Sequence, residues 1–351
     1  MHTIASLEIS ISRRIISPRH PVFIIAEAGV NHNGDINRAK RLIDAACTAG
    51  ADAVKFQSFK TEHLILQNVS KAAYQVANTK DGGSQYQMLK RLEIQKDKMQ
   101  ELFRYADAKG IICLSTPFDE ESLDELDSIN VPAYKIASTD LTNIPFLEKI
   151  AQKGKPLFLS TGMSYFSEVQ MAVNAVRQYN KQLVLLQCTA NYPISDVEAN
   201  LRVIDLYHNH FGVLVGYSDH TMGIGAAPYA VAMGAVVIEK HLTLSTDDEG
   251  PDHKASLPPD IFVALVKEVR KVEMYMGTGT KAPTESEQGT RAALQKSLVA
   301  KKEIKKGEIF SSENIIAKRT GGQGISPLYY YDLIGKKALR DYAANDIIVN
   351  E

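Results

Sequence analysis

Two short segments of this chain end strand-like apolar runs with side chains that can bind ions or move protons. GYSDHTMG at 216–223 carries His220, and VVIEKHLT at 236–243 carries His241. Charge at the end of a buried strand loses solvation, so such groups usually face a ligand site or one another. Because the histidines occupy matching strand ends, we expect them to lie side by side and to hold a divalent metal ion. Two core histidines bonded to the backbone are the alternative.

Two lysines, Lys55 and Lys135, interrupt otherwise apolar strand-like runs. A lysine in such a position needs an anionic partner or a lowered pKa. Hydroxyl groups occur late in these and other runs, at Thr116, Ser138, Ser160 and Ser218. Ammonium and hydroxyl donors that converge on one opening suit a phosphate or carboxylate ligand. The alternative is that each lysine pairs with a glutamate of the same fold, such as Glu27 or Glu239.

These segments belong to a regular alternation of strand-like and helix-like stretches. Strand-like runs occur at 22–30, 53–59, 111–118, 133–140, 156–163, 183–189, 213–219 and 236–243. Helix-like patterns occupy 36–50, 98–110, 120–129, 145–154, 167–179, 200–211, 224–234 and 259–276. Eight successive strand–helix units predict an α/β fold, a closed (β/α)8 TIM barrel with its chemistry at the carboxyl ends of the strands. A doubly wound dinucleotide-binding sheet is the alternative, but the turn AGVNHNGD lacks the G-x-G-x-x-G spacing.

The chain ends differ in pattern from the barrel. Residues 7–16 alternate between apolar and polar side chains, which predicts a short strand or hairpin. We assign 1–280 to this extension plus the barrel, the polar stretch 281–295 to a linker, and 296–351 to a small β-rich module. Because so short a module is marginal for a core of its own, we expect it to lean on the barrel or on a second subunit.

Composition excludes several classes of partner. The formal net charge of −1, from 40 basic and 41 acidic residues, gives no general attraction for nucleic acid or an anionic membrane. No apolar run reaches the roughly 18–20 residues of a membrane span, and the N-terminus lacks a signal-peptide pattern. Cys47, Cys113 and Cys188 are scattered, which favours buried thiols in a reducing compartment. We therefore expect a cytoplasmic protein.

An ordered series of motifs extends these observations. In sequence they are AEAGVNHNGD, VKFQSFK, STPFDEES, YKIAS, LSTGM, CTANYP, GYSDHT, EKHLTL and GPDHKASL. The series resembles the sialic acid synthase family, which condenses phosphoenolpyruvate with an N-acylated amino sugar. The resemblance runs from Phe23 to the end of the chain. The tail from about Lys296 resembles that family's C-terminal antifreeze-like (SAF, β-clip) domain.

The resemblance implies a role for each matching residue. The family's metal pair falls on His220 and His241, with Mn²⁺ as the expected ion and Mg²⁺ or Co²⁺ as alternatives. The phosphoenolpyruvate pocket falls on Lys55, Thr116, Lys135, Ser138, Ser160 and Ser218. The sugar contacts fall on Gln57, Asp140, Tyr192 and Asp252. Glu27, placed to orient the reacting centre or exchange protons with it, completes a catalytic set with Lys55, Lys135, His220 and His241. Arg319 reaches the acylamino group in a neighbouring subunit's site, which implies a homodimer with a swapped C-terminal domain.

Three departures from the family pattern lie near the implied sugar site and tail. Asp140 stands where glutamate is common, Ala190 where a polar residue is common, and Thr320 where proline is common. We expect an N-acetylneuraminate synthase or a legionaminate or pseudaminate relative acting on a 2,4-diacetamido-2,4,6-trideoxyhexose. One alternative is another phosphoenolpyruvate-condensing barrel that makes a 2-keto-3-deoxy sugar acid phosphate. The other is a non-catalytic carbohydrate- or ice-binding protein.

Overall fold

The computed structural model describes residues 7–79 and 82–350. The chain divides into two compact units between Gly277 and Thr278. Among the described helices, none combines the length and the apolar character that crossing a bilayer requires.

A short hairpin precedes the barrel, as the alternating pattern predicted. Strands β1 (Ile9–Ile11) and β2 (Arg14–Ile16) pair in antiparallel register. Ile9, Ile11 and Ile16 are buried with residues from the interior of the barrel, including Phe23 and Phe158. The rings of these two phenylalanines stack with centroids 6.0 Å apart. This packing fills the end of the barrel where the strands begin.

Eight parallel strands close into a barrel, which confirms the predicted fold. They are β3 (Phe23–Gly29), β4 (Ala53–Ser58), β5 (Ile112–Pro117), β6 (Tyr134–Ile136), β7 (Leu157–Ser160), β8 (Leu183–Gln187), β9 (Leu214–Asp219) and β10 (Val237–His241). Closure comes from β10 pairing with β3, which sets His241 beside Glu27. Nearly every strand residue is buried, because helices cover the outside of the sheet and side chains fill the inside.

Helices alternate with the strands and cover the barrel. They are α1 (Ile36–Ala49), α2 (Thr61–Leu64), α3 (Ala73–Thr79), α4 (Gln85–Leu92), α5 (Lys96–Lys109), α6 (Glu120–Ser128), α7 (Ile144–Gln152), α8 (Phe166–Tyr179), α9 (Arg202–Phe211), α10 (Ala227–Ala232) and α11 (Pro259–Met276). Helix α1 begins at the Asp35 cap, whose side chain accepts from Asn37 N, and ends at Gly50 in the left-handed conformation. The three short helices α2, α3 and α4 between β4 and α5 were not predicted.

The structure corrects the prediction in two places. The strand predicted over 133–140 ends at Ile136, and a single 3₁₀ turn spans Ser138–Asp140. The polar stretch predicted as a linker over 281–295 contains a helix, α12 (Glu285–Leu294). Its first turn is capped by Thr284, whose backbone N–H donates to Glu287 Oε2 at 2.8 Å. None of the residues of this helix is buried, so its sequence lacks the apolar periodicity from which a helix is predicted.

The second unit has an apolar core of its own. Strands β11 (Lys296–Ala300) and β12 (Ile315–Arg319) pair in antiparallel register, and α13 (Tyr330–Leu333) follows. The buried apolar residues of this unit are Leu298, Ala300, Ile304, Phe310, Ile315, Ile325, Ala338, Tyr342 and Ile348.

Candidate active site

A cavity of about 570 Å³ opens at the carboxyl ends of the barrel strands. Every predicted site residue of the barrel except Asp140 lines it. These residues are Glu27, Lys55, Gln57, Thr116, Lys135, Ser138, Ser160, Tyr192, Ser218, His220, His241 and Asp252. They come from distant parts of the sequence and meet because parallel barrel strands end on one face.

The two histidines lie side by side at this face, as predicted. His220 directly follows β9 and His241 ends β10, and their ring centroids are 5.5 Å apart. His220 Nδ1 lies 2.6 Å from Thr189 O, so Nδ1 carries the proton and Nε2 keeps its lone pair. Burial lowers the pKa of His220 to about 4 and that of His241 well below its usual range. Both imidazoles are therefore neutral at pH 7, the form that binds metal ions.

The donor set near this pair is small. His241 Nδ1 is buried without a hydrogen-bond partner among the described residues, which leaves the imidazole without a fixed polar contact there. Within residues 7–79 and 82–350, no group of three or more His, Cys, Asp or Glu side chains is arranged to hold a metal ion. Two imidazoles with free lone pairs fit a catalytic ion that keeps open positions for water and substrate. The ring of Tyr192 lies against both, with its centroid 4.2 Å from His220 and 5.4 Å from His241.

His253 is not available as a third ligand. Its Nδ1 lies 2.7 Å from Thr243 Oγ1 and its Nε2 lies 3.1 Å from Asn33 Oδ1. The ring is fully buried, so both nitrogens are occupied by contacts within the protein. Through these contacts, His253 connects the loop after β10 to Thr243 and Asn33.

The two lysines form a buried network with two glutamates. Lys55 Nζ lies 2.7 Å from Glu27 Oε2 and 3.8 Å from Glu239 Oε2. Lys135 Nζ lies 3.3 Å from Glu239 Oε1. The alternative considered from sequence, that each lysine pairs with a glutamate, therefore holds in this structure. Both ammonium groups also line the cavity, so they remain placed to meet an anionic ligand.

The pKa values of the two glutamates in this network shift in opposite directions. Burial alone would raise the pKa of Glu239, but Lys135 and Lys55 lower it to about 2. Burial raises the pKa of Glu27, and the opposing charge of Lys55 does not fully offset it. Burial would lower the pKa of Lys55, yet Glu239 and Glu27 raise it. Burial lowers the pKa of Lys135 despite Glu239. Glu27 is thus the carboxylate more readily protonated.

Hydroxyl groups orient this network. Lys55 Nζ donates to Thr116 Oγ1 at 3.1 Å, and Ser218 Oγ donates to Glu239 Oε1 at 2.9 Å. Ser160 Oγ is buried on the cavity wall, and no described residue forms a hydrogen bond with it. A ligand oxygen that met this hydroxyl would satisfy it.

Ser138 is held from two sides. Its Oγ accepts from Gly162 N at 2.9 Å and lies 3.2 Å from Cys188 Sγ. A Cβ at position 162 would lie only 2.9 Å from that oxygen, so this approach requires glycine. The 3₁₀ turn after β6 thus places the hydroxyl of Ser138 at the cavity.

The predicted sugar contacts are placed unequally. Gln57 Nε2 donates to Glu27 Oε1 at 3.2 Å, and burial together with Glu27 raises the pKa of Asp252 to about 7. Asp140 is buried in the turn, where it accepts from Thr139 Oγ1 at 3.3 Å, and it does not line the cavity. Thr139 lines it instead. Arg319 is an exposed residue of β12 in the second unit, and its predicted contact with a neighbouring subunit's ligand stays a prediction.

One wall of the cavity was missed from sequence. It comes from the segment between β4 and α5 and includes Tyr74, Gln75 and Gln85. Gln85 Nε2 donates to Gln75 Oε1 at 3.1 Å, and the rings of Tyr74 and Tyr192 are 5.4 Å apart. Beside them lie apolar residues, namely Val30, Phe59, Leu64, Ile65, Met88, Leu89, Leu92 and Phe118. The Ser84–Gln87 capping box and the helical spacing of Met88 and Leu92 were the sequence signals for this segment.

The chain is an α/β-barrel protein. Imidazole and ammonium groups line the cavity at the carboxyl ends of its strands, as in the active site of an enzyme. Residues 42–281 match the NeuB family and residues 295–351 match the SAF domain, and the chain belongs to the NeuB family. These matches confirm the resemblance drawn from the motifs.

Two curated relatives and one solved structure are similar over most of the chain. An N,N'-diacetyllegionaminic acid synthase of Campylobacter jejuni is 45% identical, over 93% of this chain and 98% of that protein. The human N-acetylneuraminate-9-phosphate synthase is 38% identical, over 96% and 94%. The crystal structure of an N-acetylneuraminic acid (sialic acid) synthetase from Leptospira borgpetersenii, in complex with citrate, is 35% identical. It has a TM-score of 0.73 and covers 82% of this chain and 96% of that one.

Proposed function

We propose that this protein condenses phosphoenolpyruvate with the open-chain form of an N-acyl amino sugar. With N-acetylmannosamine or a close relative as acceptor, the products are N-acetylneuraminic acid or a related nonulosonic acid and free phosphate. The observation that carries the proposal is the shared cavity in which two neutral imidazoles lie beside the paired lysines and glutamates. The synthase names of the relatives support it.

Phosphoenolpyruvate would bind at the ammonium end of the cavity. Its phosphate and carboxylate would receive charge-assisted hydrogen bonds from Lys55 and Lys135. The hydroxyl of Ser160 has no hydrogen-bond partner within residues 7–79 and 82–350, so it is placed to donate to the same ligand. Ser138, held by Gly162, supports the ligand from the neighbouring strand end.

In the reaction, the methylene carbon of phosphoenolpyruvate forms a bond to the aldehyde carbon of the sugar, whose oxygen gains a proton. Positive charge then develops on the carbon that carries the phosphate ester. Water adds to that carbon and loses a proton, and phosphate leaves from the resulting tetrahedral centre. Glu27 would exchange a proton with the reacting centre, because burial keeps its pKa raised. In its ionised form it would stabilise the cationic centre.

His220 and His241 would hold a divalent ion through lone pairs that the protein leaves free. Polarisation of the aldehyde oxygen is the Lewis-acid chemistry that Mn²⁺, or alternatively Mg²⁺ or Co²⁺, supplies when bound. Tyr192, which lies against both rings, would limit the access of water to the pair. The resemblance further supports a homodimer in which Arg319 from a second subunit completes the sugar site, and a cytoplasmic location.

A second acceptor is favoured by one observation. The apolar wall formed by residues such as Phe59 and Leu89 suits a sugar with methyl and acetamido groups. A 2,4-diacetamido-2,4,6-trideoxyhexose, the legionaminate- or pseudaminate-type acceptor, carries three such groups. The legionaminic acid synthase relative supports the same alternative.

The test is release of free phosphate from phosphoenolpyruvate with purified protein and Mn²⁺. The acceptors are N-acetylmannosamine, its 6-phosphate and 2,4-diacetamido-2,4,6-trideoxymannose, each with and without EDTA. We expect acceptor-dependent phosphate release that EDTA stops. Sugar binding that persists in EDTA, without phosphate release for any acceptor, would instead support a non-catalytic carbohydrate-binding protein.

A further inference from the structure

Strands β9 and β10 carry a second pair of charged residues on their outer face. Lys240 lies directly opposite Asp219 in the parallel register, and Lys240 Nζ lies 2.9 Å from Asp219 Oδ2. Both side chains are completely buried. Side chains alternate along a strand, so these two point toward the helices whereas Glu239 and His241 point into the barrel. Neither residue lines the cavity, and the proposed reaction does not use them.

The pair is tied to the turn that carries His220. Lys240 Nζ donates to Thr221 O at 2.6 Å. Asp219 Oδ1 accepts from Thr221 N at 2.9 Å and from Thr221 Oγ1 at 2.6 Å. The residues on both sides of His220 are therefore fixed to Lys240. Because Lys240 directly precedes His241, one ion pair joins the two chain segments that present the imidazoles.

The same carboxylate also fixes the turn to the helix layer. Asp219 Oδ2 accepts from Ala227 N at 3.2 Å, at the first residue of α10. Thr221 Oγ1 accepts from Ala226 N at 3.1 Å. A Cβ at Gly225, which has φ +58°, would overlap the Thr221 hydroxyl. The turn is thus packed closely around the carboxylate.

Stability alone does not account for a buried ion pair. Removing two charges from water costs free energy that their attraction often fails to recover, and apolar replacements of similar volume are often neutral or stabilising. The hydrogen bonds of this pair, however, all converge on the segment between β9 and α10. Small displacements there would change the distance between His220 and His241.

We propose that Asp219 and Lys240 are positioning residues for the imidazole pair, setting the separation and orientation at which His220 and His241 bind a divalent ion. This inference rests on the metal site of the proposed function. Replacing residues that hold metal ligands in place, without binding the metal themselves, commonly weakens metal affinity by about 10–100-fold. The pair therefore acts on ion affinity without touching ion or substrate.

The test is Mn²⁺ affinity, measured on the full chain by the EPR signal of free Mn²⁺ without substrates. Lys240→Met alone would leave the Asp219 carboxylate buried without its cation and could unfold the protein. The variant is therefore Asp219→Asn with Lys240→Met, which removes both charges and keeps an acceptor for Thr221 and the shape of each side chain. We expect its Mn²⁺ dissociation constant to rise by about 10-fold or more.

The control is another ion pair, at the opposite end of the barrel, in which the aspartate is buried, the arginine is partly exposed and Arg14 is a second cation beside the aspartate. Arg270 NH2 lies 3.2 Å from Asp52 Oδ2, and Asp52 also accepts from Ile24 N at 2.9 Å. Asp52→Asn with Arg270→Met alters stability away from the cavity, so its Mn²⁺ affinity should match that of the wild type. In turnover, the Asp219→Asn, Lys240→Met variant should need more Mn²⁺ for half-maximal rate and approach the wild-type kcat at saturation.

The outcomes separate the inference from the proposed function. Wild-type Mn²⁺ affinity in the folded Asp219→Asn, Lys240→Met variant overturns the positioning role and leaves the metal site standing. Equal losses of affinity in both double variants also overturn it, because a general loss of stability then explains the effect. Absence of Mn²⁺ binding by the wild-type protein overturns the metal site itself.

Discussion

Lys135 and Glu239 form an ion pair inside the barrel, with Nζ 3.3 Å from Oε1 and each side chain only 5% exposed. The carboxylate is shared with Lys55 and accepts from Ser218, whereas Lys135 has no other carboxylate within 4 Å among the described residues. Lys135 is therefore the lysine that an incoming anion can recruit with the smallest loss of existing contacts.

Replacing Lys135 tests this assignment. We expect Lys135→Ala to lower the rate of phosphate release by about 10²–10³-fold, the typical effect of losing one charge that stabilises a transition state. The fold should persist because Lys55 and Ser218 still contact Glu239. Lys149→Ala is the matched control, since Lys149 pairs with the exposed Glu120 on the helix layer. Near-normal turnover in Lys135→Ala would remove this lysine from the catalytic set.

His241 offers an independent test of the imidazole pair. Its Nδ1 has no hydrogen-bond partner in the described part of the chain, so His241→Ala removes no hydrogen bond seen at that atom. The variant should keep its thermal unfolding midpoint within a few degrees of wild type. We expect turnover to fall below detection in the phosphate assay, because one imidazole cannot hold the ion alone. His63→Ala is the control, since that ring is half exposed and lies outside the cavity. Mn²⁺-dependent turnover in His241→Ala at the His63→Ala rate contradicts the assignment.

The composition of the cavity wall predicts discrimination against a phosphorylated acceptor. Of the described residues that line the cavity, only Lys55 and Lys135 are lysine or arginine. The proposed reaction uses both for phosphoenolpyruvate. On the described wall of one subunit, a sugar 6-phosphate would meet apolar residues without a cation. Hydrogen bonds to charged groups are worth about 1.5–3 kcal/mol, so we expect kcat/KM for N-acetylmannosamine to exceed that for its 6-phosphate by about 10-fold or more.

A lysine placed on the apolar wall should reduce the preference for the unphosphorylated sugar. Leu89 is half buried on the apolar wall, so Leu89→Lys would bring an ammonium group to it. We expect this variant to gain activity toward the 6-phosphate relative to the unphosphorylated sugar. Leu206→Lys, on the partly exposed face of α9, is the matched control and should leave the ratio unchanged. A wild-type preference for the 6-phosphate would show that a cation reaches this wall from elsewhere.

The barrel and the members of its site were accessible from sequence for a physical reason. Strands buried on both faces are continuous apolar runs, so a polar residue near the end of such a run stands out. His220, His241, Lys55 and Lys135 were found in this way. The pairing of Glu239 with two lysines was only an alternative, because it depends on the register of β10, β3, β4, β5 and β6, which no local pattern specifies.

The parts that were missed or misjudged lack periodicity. Helices α2, α3 and α4 span only four to eight residues each, too few for a hydrophobic repeat to stand out, so the wall that contains Tyr74 and Gln85 was not predicted. Asp140 was predicted at the end of the strand-like run 133–140, and the family resemblance gave it a sugar contact. In the structure β6 ends four residues earlier, and the following turn directs Thr139 rather than Asp140 to the cavity.

Asp140 also gives a prediction about pH and stability. Burial raises its pKa to about 6 from an ordinary value near 3.8, and the nearby charge of Asp119 adds to this. The folded state therefore holds the Asp140 proton more tightly than the unfolded state. As pH rises from about 4 to about 6, the unfolded chain releases this proton first, so the free energy of unfolding falls.

Asp140→Asn removes this loss because an amide does not titrate. A shift of two pKa units corresponds to about 2–3 kcal/mol, so the variant should become more stable relative to wild type by up to that amount between pH 4 and pH 7. Urea unfolding at a series of pH values measures the difference, with Asp260→Asn, an exposed residue in the first turn of α11, as the control. A difference in unfolding free energy that stays constant across this range, or that grows as pH falls, contradicts the raised pKa.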